Sequence, residues 1–148
     1  MDGLSVAASV AGLLQVTAKV IDFFSTMMGA STIAQNVLAE AKALQAIFHQ
    51  LQHFILDFAD GTDNRRSMII IDQLVATLTG CVCVFNNLEQ VLDGLNIGGQ
   101  VCLWDSAMWA WKDQDLTRIL GDLQKHKSSL NLMLTIINWF VIALCVSF

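Results

Sequence analysis

The stretch Thr32 to Phe58, TIAQNVLAEAKALQAIFHQLQHFILDF, decides the fold. Its apolar residues Val37, Ala41, Leu44, Phe48, Leu51, Ile55 and Phe58 follow one another in alternating steps of four and three. That is the heptad spacing, which lines one face of a helix with side chains that need a second helix against them. Gln35, Glu40, Gln45 and Gln52 fall off this seam.

Outward from this helix, the same reading extends in both directions. Ala59-Asp60-Gly61-Thr62-Asp63-Asn64 is a turn by composition. A third helix is predicted from Arg65 to Leu95, with Met68, Ile71, Leu74 or Val75, Leu78, Val82, Phe85, Leu88 and Leu92 on its seam. Asn96-Ile97-Gly98-Gly99 breaks it. Towards the N-terminus, Gly29-Ala30-Ser31 separates the heptad helix from an earlier one over Leu4 to Met28, and Ser31 suits an N-cap. LWDSAMWAWKD, with Trp104, Trp109 and Trp111, predicts a short aromatic helix packed beneath the connecting loop. The last helix is predicted to start near Asp113 and to carry Leu116, Ile119, Leu120, Leu123, Leu130, Met133 and Ile137. The expected fold is all-α: an antiparallel bundle of four long helices with a short aromatic helix before the last. The bundle takes residues 1–137, and residues 138–148 form a hydrophobic C-terminal extension.

Composition agrees with long helices. The 148 residues suffice for one domain with its own core, and no proline interrupts them. Charged residues make up 14% and apolar ones 55%, against typical values of about 25% and 45–50%. Such a chain has helices buried on more than one side, or apolar surface meant for a membrane or a partner. The eight Lys and Arg are scattered and the net charge is −5, so no basic face neutralises phosphates; nucleic acid is not an expected partner.

The search for chemistry finds little. GxxxxGK[ST], HExxH, GxSxG and GxGxxG are all absent from the sequence. His49 and His53 stand four apart on a helix, as two metal ligands would, but they lie among glutamines without a third ligand and read as surface residues. Asp57, Asp60 and Asp63 flank a turn and suit helix ends better than calcium, whose twelve-residue loop pattern is missing. Cys81 and Cys83 are two apart and point to different helix faces; with Cys102 and Cys145 they read as free thiols of a reducing compartment. The expectation is a cytoplasmic, non-enzymatic protein with no cofactor, metal or small-molecule substrate. Asp2 replaces the basic start of a secretory signal and separates Gly3 from the position that myristoylation uses.

Two segments stand out. In MDGLSVAASVAGLLQVTAKVIDFF, small residues recur at helical spacing: Gly3, Ala7 and Ala11, then Ala8 and Gly12, with Ser5 and Ser9 beside them. Such a ladder leaves a groove that a second helix can approach closely. Gly3, Leu4, Ala7, Ala8, Ala11, Gly12, Leu13 and Leu14 are therefore the candidate helix-packing or membrane-contacting residues. At the other end, SSLNLMLTIINWFVIALCVSF, Ser128 to Phe148, holds 21 residues without a charge, behind Lys125, His126 and Lys127. That length can cross a bilayer, and the basic flank suits a cytoplasmic side. Asn131, Asn138 and Thr135 weaken its first half. The alternative makes Leu130 to Ile137 the end of a bundle helix.

MDGLSVAASVAGLLQV, AIFHQLQHF, DGTDNRRSMIIIDQLVATLTGCVCVFNNLEQVLDGL and WDSAMWAWKDQDLTRILGDLQKHKSSLNLMLTI together resemble a known family. It is the fungal N-terminal domain of STAND/NLR-type proteins, related to HeLo-like domains. The likeness covers about Met1 to Ile136, and its most specific parts are the opening and the WAWK to LQKHKSSLNLML segment. It implies a helical bundle at the effector end of an immune receptor. It also implies an N-terminal apolar helix, Leu4 to Val20 here, that on activation is released into the plasma membrane and causes cell death. Two departures qualify this. The chain has no nucleotide-binding module, and NWFVIALCVSF stands where the family continues into a charged linker, which suggests a truncated gene product or a retained-intron reading frame. The resulting expectation is a signalling or effector domain that meets copies of itself, partner helices or membrane lipids. The alternatives are an adaptor whose first helix never leaves the bundle, and a tail-anchored membrane protein.

Overall fold

The computed structural model describes the backbone of residues 3–26, 32–58, 64–95 and 106–146, and side chains of 6–26, 32–55, 72–93, 113–139 and 142. Among the described residues the fold has four helices: α1 (Gly3–Ser25), α2 (Thr32–Phe58), α3 (Asn64–Leu95) and α4 (Ser106–Val146). The chain is an all-α bundle of four long helices. They close into a ring in which α1 packs on α2, α2 on α4, α4 on α3 and α3 back on α1. Although α2 and α3 are consecutive, they stand on a diagonal, where their backbones do not meet among the described residues. Their side chains do. The rings of Phe48 and Phe85 meet edge to face across the centre, 6.4 Å apart, an arrangement that the quadrupoles of aromatic rings favour.

Each helix reaches the core through one row. On α2, Val37, Ala41, Leu44, Phe48 and Leu51 are fully buried, and Ile55 packs partly against them. On α1 the row is Val6, Val10, Leu13, Thr17, Val20 and Phe24, again in steps of four and three. Thr17 is the one polar member, and its hydroxyl donates to the Leu13 carbonyl one turn back, so its burial costs no lost hydrogen bond. On α3 the row runs Leu74, Leu78, Cys81, Phe85, Leu88 and Leu92. Cys81 holds the place expected of Val82, which is half-buried beside it.

The largest differences from the sequence reading lie at the end of α1 and the start of α4. α1 ends at Ser25 and not at Met28. The Thr26 backbone N–H closes the last turn on Asp22, and its hydroxyl donates to the Phe23 carbonyl. That side-chain bond competes with helix continuation. The aromatic stretch is no helix of its own: α4 starts at Ser106 and runs unbroken for 41 residues. Neither Gly nor Pro stands between Ser106 and Asp113, so nothing stops the helix there. Trp104 lies outside the described residues, as do the side chains of Trp109 and Trp111, the Gly29–Ser31 and Asn96–Gly99 breaks, Asp60 and Asp63.

Candidate interaction surfaces

The small-residue ladder of α1 divides between core and solvent. Leu13 is buried, and Leu14 packs partly against the core. Ala7 and Ala11 are half-buried, whereas Ala8 and Gly12 are exposed. A methyl group added at Gly12 would find nothing within 4 Å. The bundle therefore holds α1 through its large residues and leaves the Ala8–Gly12 edge open. Gly3 and Leu4 lie in α1, but their side chains fall outside the described residues.

α4 carries its buried row on one face: Leu116, Ile119, Leu123, Leu130, Leu134 and Ile137. Between Leu123 and Leu130 a full heptad passes without an apolar member, and His126 and Lys127 fill the gap. Lys127 reaches across to α2, its Nζ 2.6 Å from Oε2 of Glu40, with the two side chains only 29% and 15% exposed. That contact is one of charge: the approach lacks hydrogen-bond geometry, and Oε2 has no hydrogen-bond partner. His126 turns to α3 and lies over Gly80, so close that a Cβ there would sit 2.6 Å from its Cε1 and 3.2 Å from Nε2. A glycine inside a helix costs about 1 kcal/mol against alanine. Here it makes room for the imidazole. The basic triplet Lys125-His126-Lys127 is thus largely a polar layer of the bundle, with Lys125 exposed.

The face of α4 opposite its buried row changes character along the helix. Arg118, Asp122 and Lys125 are exposed and charged. Beyond Ser128 the same face presents Leu132, Ile136 and Trp139, with Ile142 beside them, and these are 63%, 41%, 75% and 62% exposed. The uncharged segment is therefore apolar on two opposite sides: Leu130, Leu134 and Ile137 face the bundle, and Leu132, Ile136 and Trp139 face away. Asn131, Thr135 and Asn138, all exposed, flank the outer row. Large apolar side chains grouped like this on a surface mark contact sites.

The thiols and histidines occupy the places their spacing suggests. Cys81 is buried and Cys83 exposed. Burial pushes the Cys81 thiol up to about 12, because its charged form has no water around it. His49 and His53 are both exposed on α2. The side chains of Asp57, Cys102 and Cys145 lie outside the described residues.

Among the described residues, two helical stretches are long and apolar enough to cross a membrane, Val6–Ser25 and Asp72–Asp93. The first is the segment singled out by sequence. The second was not, because its heptad seam reads as core. Both put their large residues into the bundle: Val10, Leu13, Val20 and Phe24 from one, Leu74, Leu78, Phe85 and Leu88 from the other. No family model, curated protein or solved structure matches the chain.

Proposed function

We propose that this chain is a non-enzymatic helical signalling module that acts in the cytoplasm by helix-to-helix contact, with α1 remaining in the bundle. The observation that carries this reading is the outer row of α4, Leu132, Ile136, Trp139 and Ile142, presented to solvent on a helix whose other face is already committed to the core. The resemblance to fungal NLR-type N-terminal domains supports a signalling role. The buried row of α1 supports its staying in place. Withdrawing α1 exposes Val6, Val10, Leu13, Val20 and Phe24. At about 1.5–3 kcal/mol for each large apolar side chain, that is on the order of 10 kcal/mol. A whole domain of this size is stable by only about 5–15 kcal/mol.

A second reading, release of α1 into a bilayer with membrane damage and cell death, is favoured by the length and apolarity of Val6–Ser25 and by the open Ala8–Gly12 edge. It requires lipid to take up the same side chains that the core now holds, together with Lys19 and Asp22 of the same helix. A tail anchor requires more: Leu130, Leu134 and Ile137 would have to leave the core for Ser128 to Phe148 to span.

Dye leakage and flotation with full-length protein and phosphatidylcholine/phosphatidylserine vesicles separate these readings. The contact reading expects neither leakage nor flotation. Leakage that Gly12→Leu abolishes, in a protein that still folds, replaces it with the effector reading. Flotation that persists without leakage, and is lost when the chain is ended at Ile137, replaces it with the tail anchor.

A further inference from the structure

We infer that the outer row of α4 is a self-association surface, and that its occupant is the same row of a second copy of this chain. The inference rests on reading that row as a contact surface and adds what fills it.

Three features favour a second copy over lipid or an unrelated partner. The first is register. Leu132, Ile136 and Trp139 are spaced four and three, the step that lets one helix seat its knobs between those of another. The second is the polar edge. Asn131 and Asn138 stand one heptad apart beside the row, both exposed. A carboxamide donates and accepts; at the rim of a helix pair it stays in water, whereas a bilayer offers it nothing. The third is charge. Residues 128–148 carry none, so nothing in the segment repels its own copy although the chain as a whole is at −5. The same negative charge disfavours an anionic membrane surface.

The area is sufficient for a modest dimer. Three aliphatic side chains and a tryptophan, at on the order of 100–200 Å² each, expose roughly 500 Å². Two such patches bury about 1,000 Å², the lower bound for a specific interface. For so small a patch, micromolar association is the expectation. In an isologous pair the middle of the row meets its own counterpart whether the helices run parallel or antiparallel. Ile136 is that middle residue, between Leu132 and Trp139.

Sedimentation equilibrium of the full chain from about 1 to 200 µM tests this, in a range where micromolar dimers are resolved. The wild type is expected to dimerise, and Trp139→Gln to weaken dimerisation by about 100-fold, as loss of a large aromatic anchor does. Because Trp139 is largely exposed, circular dichroism should show the variant as folded as the wild type. Ile136→Lys and Ile136→Glu should each be monomeric, while an equimolar mixture regains association. That rescue belongs to a like-with-like contact, and neither a bilayer nor an unrelated partner produces it. A wild type that stays monomeric overturns the inference and leaves the contact reading standing with a different partner. A dimer indifferent to Trp139→Gln, or a charge pair without rescue, places the interface elsewhere and overturns it too. Loss of the contact reading itself appears separately, as vesicle leakage or flotation by the same preparation.

Discussion

Replacing Gly80 with alanine is a sharp probe of the bundle, because two opposing effects of known size meet at one atom. In an unobstructed helix interior the change stabilises by about 1 kcal/mol, since alanine loses less backbone entropy on folding. Here the new methyl would stand 2.6 Å from Cε1 of His126, well inside van der Waals contact. Overpacking of this kind typically costs about 1–3 kcal/mol. His126 is half-buried, so its ring can retreat partway towards solvent, which holds the cost to about 2 kcal/mol, the middle of that range. The net expectation is a destabilisation of about 1 kcal/mol. In a His126→Ala background the obstacle is gone, and Gly80→Ala should now stabilise by about 1 kcal/mol. The coupling energy between the sites is then about 2 kcal/mol, within the range for residues in contact. Urea unfolding followed by circular dichroism on the four proteins of the cycle measures it, provided the slope with denaturant is unchanged. Stabilisation by Gly80→Ala in the wild-type background, or a coupling near zero, would refute the seating of His126 on the α3 backbone.

Other substitutions test other parts of the account. Gly12→Ala should stabilise by about 1 kcal/mol in thermal or urea unfolding, because the propensity gain meets no obstacle at that open edge. Lys127→Met leaves the Glu40 carboxylate half-enclosed without its cation and should cost about 2 kcal/mol, discounted from the 3–5 of a fully buried pair; Glu40→Gln with Lys127→Met should cost less than the two single changes summed, by a urea double-mutant cycle. Cys81 keeps its proton in the fold to about pH 12, whereas an unfolded thiol releases it near 9.0, so stability is fully present below pH 9 and falls by about 1.4 kcal/mol per unit above it. Cys81→Ala should flatten that alkaline slope. Peptide mapping after iodoacetamide at pH 8 should find Cys83 labelled and Cys81 spared in native protein.

The heptad rows carried most of the fold in legible form. α2 begins and ends where its seam and flanking turns place it, and every described member of that seam is buried or packed on the core. α3 is displaced by one residue at its start and by one position on its seam, at Cys81, because a small thiol and a valine satisfy the same apolar pattern. α4 starts earlier than its sequence suggests, because the tryptophans read as a separate packing unit where the backbone has no reason to break.

What escaped the sequence reading concerns faces and partners. By length and charge alone, the segment after Ser128 reads as a possible span. Split by helical period, it yields two apolar rows, and one row cannot reach the core from the far side of the same helix. The polar layer was hidden differently. Lys125-His126-Lys127 reads as a basic flank, and only the ring order, with α4 between α2 and α3, brings Lys127 to Glu40 and His126 to Gly80. The missing apolar member between Leu123 and Leu130 was the local hint. Gly80, in the interior of an otherwise regular helix, was the other.

Whether α1 stays with its neighbours is measured most directly by hydrogen exchange on the full chain, alone and with phosphatidylserine-containing vesicles. Amides from Val10 to Val20 should be protected as strongly as those from Leu44 to Leu51 in both samples, since both segments are held by fully buried rows. Loss of protection confined to α1 when vesicles are added would contradict that, and would make the first helix the working part.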